Sequence, residues 1–174
     1  PCQAFFAAFV DFSLNSYFFS FSVPKVQTAR SLAIELAKRT RFLRDEVISV
    51  EMEENDGKGH KQIIGFYEAF KKYLISTLTE KQFADLYAQT ITYGLFAART
   101  RADGEFNRRL AFDYIPHTIG ILRDVFRFIS LEEPSESLQI IVDDIAEILH
   151  VADANKILHE YHRTGKGRDP IIHF

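Results

Sequence analysis

The chain has 174 residues, 47% of them hydrophobic and 26% charged, with a formal net charge of −3. This predicts one folded domain with a real core and excludes a disordered polyelectrolyte. A negative balance also excludes polyanion binding by bulk charge, so any nucleic-acid contact must come from local basic clusters. The single cysteine, Cys2, excludes an intrachain disulfide and the paired-Cys zinc motifs, and it suits a reducing, cytoplasmic setting.

The opening PCQAFFAAFVDFSLNSYFFSFSVP carries one charge, Asp11, and its first 21 residues hold seven of the seventeen Phe. It lacks the basic n-region of a signal peptide. Asp11, Asn15 and several serines interrupt the run of about 20 apolar residues that a membrane span needs. Two readings stay open: a hairpin with a strand over 17–22 behind a turn at 13–16, or a buried helix. There is no initiator Met, and residues 1–23 read as the edge of a larger protein, packing on a neighbouring domain.

From Pro24 onward the pattern is helical. Leu32, Ile34, Leu36, Ala37, Phe42, Leu43, Val47 and Ile48 recur near the helical period and predict a helix over 26–53, capped by Thr28 with Ser31 three residues on. Gly57-Lys58-Gly59-His60 is a loop signal. A second helix is expected over 62–77, with Ile63, Ile64, Phe66, Phe70, Tyr73 and Leu74 facing inward. Thr79-Glu80-Lys81-Gln82 is a capping box that opens a helix to about residue 98, with Phe83, Leu86, Tyr87, Ile91, Tyr93, Leu95 and Phe96 apolar.

Ala102-Asp103-Gly104 breaks the chain. A short helix follows over 107–114, Pro116 forces Ile115 out of helical geometry, and a helix resumes over 117–130. After a linker at 131–134, Ser135 or Ser137 caps a helix through Ile140, Ile141, Ile145, Ile148 and Leu149. Asp153 caps another that ends near His162. Arg163 to Arg168 forms a basic, glycine-bearing loop, and Asp169-Pro170 is a helix start whose helix is expected to continue past Phe174. The fold class is all-α, a bundle-like domain of about six or seven helices.

Several constellations could carry chemistry. His159 and His162 stand one helical turn apart near His150, but HEYH is not the HExxH of a metalloprotease, and no metal site is assigned. Asp143, Asp144 and Glu147 read as a solvated acidic helix side rather than acid–base catalysts. Arg39, Arg41 and Arg44 are open to neutralisation by Glu46, Glu51 and Glu53 along their own helix. Arg99, Arg101, Arg108 and Arg109 flank the loop around Gly104. They suit DNA-backbone phosphates, or equally acidic partners in an interdomain contact. Gly165-Lys166-Gly167 lacks the P-loop pattern. Arg109 and His117 stand too far apart for the short Arg–His motif of helical ribonucleases.

Five segments carry a family likeness: SLAIELAKRTRFLRDEV, FADLYAQTITYGLFAARTRA, RRLAFDYIPHTIGILRDVFRFI, IVDDIAEIL and GKGRDPIIHF. They resemble the helical region ahead of the methyltransferase domain in large bacterial N-6 adenine DNA methyltransferases, including single-chain restriction-modification enzymes. The resemblance spans residues 22–174. It implies a coupler over 24–162 between an upstream nuclease- or helicase-like region and the methyltransferase, with 163–174 leading into the next helix.

No glycine-bearing cofactor loop follows a strand, and no Asn-Pro-Pro is present to hold a flipped adenine. No catalytic or cofactor-binding residue can therefore be assigned here, and S-adenosylmethionine is expected only for the parent enzyme. The expected partners are the adjacent domains and duplex DNA, with no membrane. Two alternatives differ in class: an autonomous nuclease- or toxin-like helical enzyme using the late histidines, and a pure protein-interaction scaffold.

Overall fold

Apolar residues at every third or fourth position should give helices and nothing else, and the computed structural model agrees. It describes residues 26, 28–54, 58–115 and 120–157, and among these there is no strand. The Phe-rich opening, Pro116, His117, His159, His162, the basic loop after residue 162 and Asp169-Pro170 lie outside the described residues.

Helix α1 (Ala29–Phe42) starts at Thr28, whose hydroxyl accepts the Ser31 amide at 3.1 Å while Ser31 Oγ accepts the Thr28 amide at 3.1 Å. Serine thus closes the capping box that glutamate usually closes. The expected helix to residue 53 is not one continuous α-helix. Residues Leu43–Ile48 form a π-helical turn before α2 (Ser49–Glu53). Ser49 donates its amide to the Arg44 carbonyl five residues back, and its hydroxyl to the same oxygen at 2.8 Å. The inserted residue shifts the buried stripe. Buried positions run 32, 36, 39, 43, 47 and then 48, 51 and 52, so the stripe jumps by one residue where the turn widens.

Helix α3 (Lys58–Tyr73) begins and ends about four residues earlier than expected. Lys58, Gly59 and His60, read as loop, are its first turn. Ile63, Tyr67 and Phe70 are buried, whereas Tyr73 and Leu74, expected to face inward, lie past the packed part and are exposed. Leu74 and Ile75 both donate to the Phe70 carbonyl, at 2.9 and 3.0 Å, which closes the helix end.

Helix α4 (Glu80–Arg99) opens with the expected box: Thr79 Oγ1 accepts the Gln82 amide at 3.3 Å, and Gln82 Oε1 accepts the Thr79 amide at 3.0 Å. It is the axis of the fold and contacts every other described element. A helix surrounded in this way must be apolar almost all round. Phe83, Tyr87, Ile91, Leu95 and Phe96 fill one set of directions, while Ala84, Ala88, Gly94 and Ala98 let neighbours approach closely. Rings of Phe66, Tyr67 and Phe70 from α3 meet Phe83 and Tyr87, with centroids 5.2–6.3 Å apart across the cluster. Each fully buried ring contributes roughly 2–3 kcal/mol of hydrophobic stabilisation before entropy is counted.

Beyond Gly104 come α5 (Arg108–Ala111), capped by Asn107, and a 3-10 turn (Phe112–Tyr114). Ile115 leaves helical geometry at φ −77°, ψ 130°, as a residue before proline should. Helices α6 (Gly120–Leu131) and α7 (Glu136–Val151) complete the packing, with Ser135 Oγ accepting the Leu138 amide as the α7 cap. A further turn at 154–157 is capped by Asp153, which accepts the Lys156 amide at 3.0 Å.

Candidate functional site

The end of α4, the segment after it and the first turn of α5 carry the four predicted phosphate-binding arginines, and they present them very differently. Arg99 is half-buried at the end of α4. Its Nε donates to the Leu149 carbonyl at 2.9 Å, its Nη1 to the Ala102 carbonyl at 3.0 Å, and its guanidinium lies 5.8 Å from the Phe106 ring centre. Arg108 is buried at 7% exposure. Its Nε donates to Asp143 Oδ1 at 2.8 Å, its Nη1 to the Ile129 carbonyl, and its Nη2 to Gln139 Oε1 at 3.4 Å. Leu149 and Ile129 lie in the last turns of α7 and α6. Both arginines therefore place positive charge where helix-end carbonyls concentrate negative potential.

Arg101 and Arg109 are exposed. Arg101 Nη1 reaches back to the Ala97 carbonyl at 3.1 Å. Arg109 lines a hollow of about 460 Å³ with Arg108, Gly59, Glu132, Ser135 and Gln139. The segment between them is held in shape: Gly104 takes φ +91°, and the Phe106 amide donates to His150 Nδ1 at 3.2 Å. His150 is thus a partner of this segment, and among the described residues no group of three or more His, Cys, Asp or Glu could hold a metal.

The acidic side of α7 is not simply solvated. Asp143 holds buried Arg108, and Asp144 holds Arg39, 2% exposed, with Nε to Oδ2 at 2.6 Å. Consecutive aspartates thus bind arginines from α5 and α1. Glu35 completes the Arg39 site, accepting from Nη1 at 2.8 Å. Burial alone would raise the Glu35 carboxyl, but hydrogen bonds from Lys38 and Arg39 hold it below its usual range.

The carboxylates expected to neutralise Arg39 and Arg44 were Glu46, Glu51 and Glu53. The observed partners are Glu35 and Asp144 for Arg39, and Asp45 and Asp85 for Arg44. Arg44 lies on the π turn beside a cleft of about 820 Å³, lined also by Ser49, Glu53, Thr79, Lys81 and Gln82. Hydrogen bonding to Arg44 holds Asp45 below the usual carboxylate range, and the two aspartates push the guanidinium up.

No family model matches this sequence, and no curated protein or solved structure matches it.

The sequence offers Glu51 only as a partner for Arg39, Arg41 and Arg44, whereas it is 7% exposed and engaged elsewhere. Its Oε1 accepts from Ser135 Oγ, its Oε2 is buried with no partner among the described residues, and burial pushes its carboxyl up. The phase jump at the π turn put it inside. A strict 3.6-residue projection from α1 has no such jump and could not have found it. Among the described residues no helix is long and apolar enough to cross a membrane.

Proposed function

We propose that the chain is a non-catalytic helical coupler from an adenine-specific DNA methyltransferase or restriction-modification enzyme. In this reading it orients a methyltransferase domain relative to an upstream nuclease- or helicase-like region. S-adenosylmethionine and the catalytic residues belong to the neighbouring domain. The likeness of the five segments, notably RRLAFDYIPHTIGILRDVFRFI and GKGRDPIIHF, supplies the family.

The observation that carries the mechanical role is the use of internal charge. Arg39, Arg99 and Arg108 tie α1, α4 and α5 to α7 or α6 through side chains far apart in sequence. Such ties resist relative movement of the helices, which a spacer of fixed length and angle requires. DNA contact falls to Arg101 and Arg109, the two exposed residues of the four. An interaction scaffold is the second reading, favoured by the exposed turn Tyr73-Leu74-Ile75.

The test is duplex DNA binding by the full chain across a salt series, beside Arg101→Ala/Arg109→Ala. Two phosphate contacts predict a slope of about −1.8 in log K against log salt, lost in the double variant. Arg99→Ala and Arg108→Ala are expected to lower stability first. Absence of binding at low salt would remove DNA from the coupler's role and favour the scaffold.

A further inference from the structure

Glu51 sits where three elements meet. From α3, Gly59 is packed so tightly against it that a Cβ there would come within 2.8 Å of Glu51 Oε2. His60 of the same helix places Nδ1 3.0 Å from the Glu51 backbone carbonyl. From the start of α7, Ser135 Oγ donates to Oε1 while accepting the Leu138 amide at 3.2 Å. From α4, the Tyr87 hydroxyl is fully buried and without a partner among the described residues. It is pushed up by burial and then by the negative charge of Glu51. Glu54, at the end of Glu51's own helix, adds a second negative charge.

The two carboxyl oxygens are therefore unequal. Oε1 has a donor in either protonation state. Oε2 has none, and a buried carboxylate oxygen without a donor is costly. A proton on the carboxyl lowers that cost, because a neutral group is cheaper to bury than a charge. On ionisation, water must reach Oε2, and the hollow bounded by Gly59 and Ser135 is the adjacent space. Its other charged groups are Arg108, Arg109, Glu132 and Glu133, of which Arg108 is already engaged by Asp143 and the Ile129 carbonyl.

We propose that Glu51 is a proton-operated latch between the start of α3 and the cap of α7. With its proton, the carboxyl keeps Gly59 and Ser135 closed over it. Without it, the proton passes to solvent, water enters from the hollow, and Ser135 is drawn from the Leu138 amide towards the charge. The device sets how firmly α3 is held to α7, and so the stiffness of the domain.

Amide resonances of Gly59 and Leu138 in the full chain test this, followed from about pH 4 to about pH 9 with hydrogen exchange corrected for intrinsic rate. Both amides are expected to follow one titration with a midpoint above the ordinary 4.5. Leu138 should exchange at least about tenfold faster above that midpoint. Glu51→Gln should abolish the titration and keep Leu138 protected throughout. A titration that persists in Glu51→Gln, or a wild-type midpoint at or below 4.5, overturns the proposal. Should Glu51→Gln fail to fold, the carboxyl carbon resonance of Glu51 in the wild type reports the midpoint directly, with the same criterion.

Discussion

Gly94 of α4 and Phe126 of α6 share one space: a Cβ at position 94 would overlap Cε2 and Cζ of the Phe126 ring. Phe126 is itself fully buried, so its ring has nowhere to retreat. Gly94→Ala sets a gain in helix propensity of about 1 kcal/mol against an overpacking cost of about 1–3 kcal/mol. The overlap is with a trapped ring, so overpacking is expected to win and Gly94→Ala should lower the urea midpoint. Combining it with Phe126→Leu should recover part of the loss, because the clash disappears. An alanine variant as stable as the wild type would mean that α6 can shift away from α4.

Arg39 and Asp144 join α1 to α7 with the guanidinium almost completely enclosed. Removing one partner of such a pair leaves a charge without full compensation, at a cost of about 3–5 kcal/mol for a fully buried pair. Asp144 keeps some solvent exposure, and Glu35 still holds Arg39, so Asp144→Ala should lose about 2–3 kcal/mol. Arg39→Met/Asp144→Leu is expected to be less destabilised than Asp144→Ala, since it leaves no enclosed charge at either position. Urea denaturation of the two variants beside the wild type measures this. Equal losses in both would reduce the pair to a surface contact.

Three helix starts were legible because caps are local: Thr28, Thr79 and Ser135 each meet an amide three residues ahead. So was the break at Gly104, where only the backbone decides. The start of α3, about four residues before the expected place, was missed. Arginine placement was not legible. Arg108 finds Asp143 across 35 positions and Arg39 finds Asp144 across 105, and one sequence shows neither pairing. Read locally, a charged side chain belongs outside. The π turn escaped for a related reason. Phe42, Leu43, Val47 and Ile48 fit an α-helical stripe closely enough that the inserted residue left no local mark. Glu51, buried by that insertion, reads in the sequence only as one more carboxylate for the arginines of its helix.

Gly104 provides a second glycine test with a different cause. Its φ of +91° is strained for any residue with a Cβ, yet nothing lies within 4 Å of the place a Cβ would occupy. Gly104→Ala should therefore cost only backbone strain, about 1–2 kcal/mol. Gly104→Asn should cost less, because Asn tolerates positive φ better. Thermal unfolding distinguishes them. A Gly104→Asn variant worse than Gly104→Ala would show that the surroundings, not the backbone, decide the position.

Glu35 and Glu51 carry opposite pH signatures. The Glu35 carboxyl is held below its ordinary 4.5, so its ionised form adds stability above pH 4.5 that disappears as pH falls through the folded value. The Glu51 carboxyl is raised, so its contribution is greatest below 4.5 and declines as pH rises through the folded value. At neutral pH, Glu35→Gln should be less stable than the wild type and Glu51→Gln more stable. The Glu51 difference should close as the pH falls through its raised folded value to 4.5, and the Glu35 difference only as the pH falls further, through a folded value below 4.5. Urea midpoints across the acid-to-neutral range give the answer. If the two variants moved in the same direction at neutral pH, the unpartnered Oε2 of Glu51 would not be the source of its raised carboxyl.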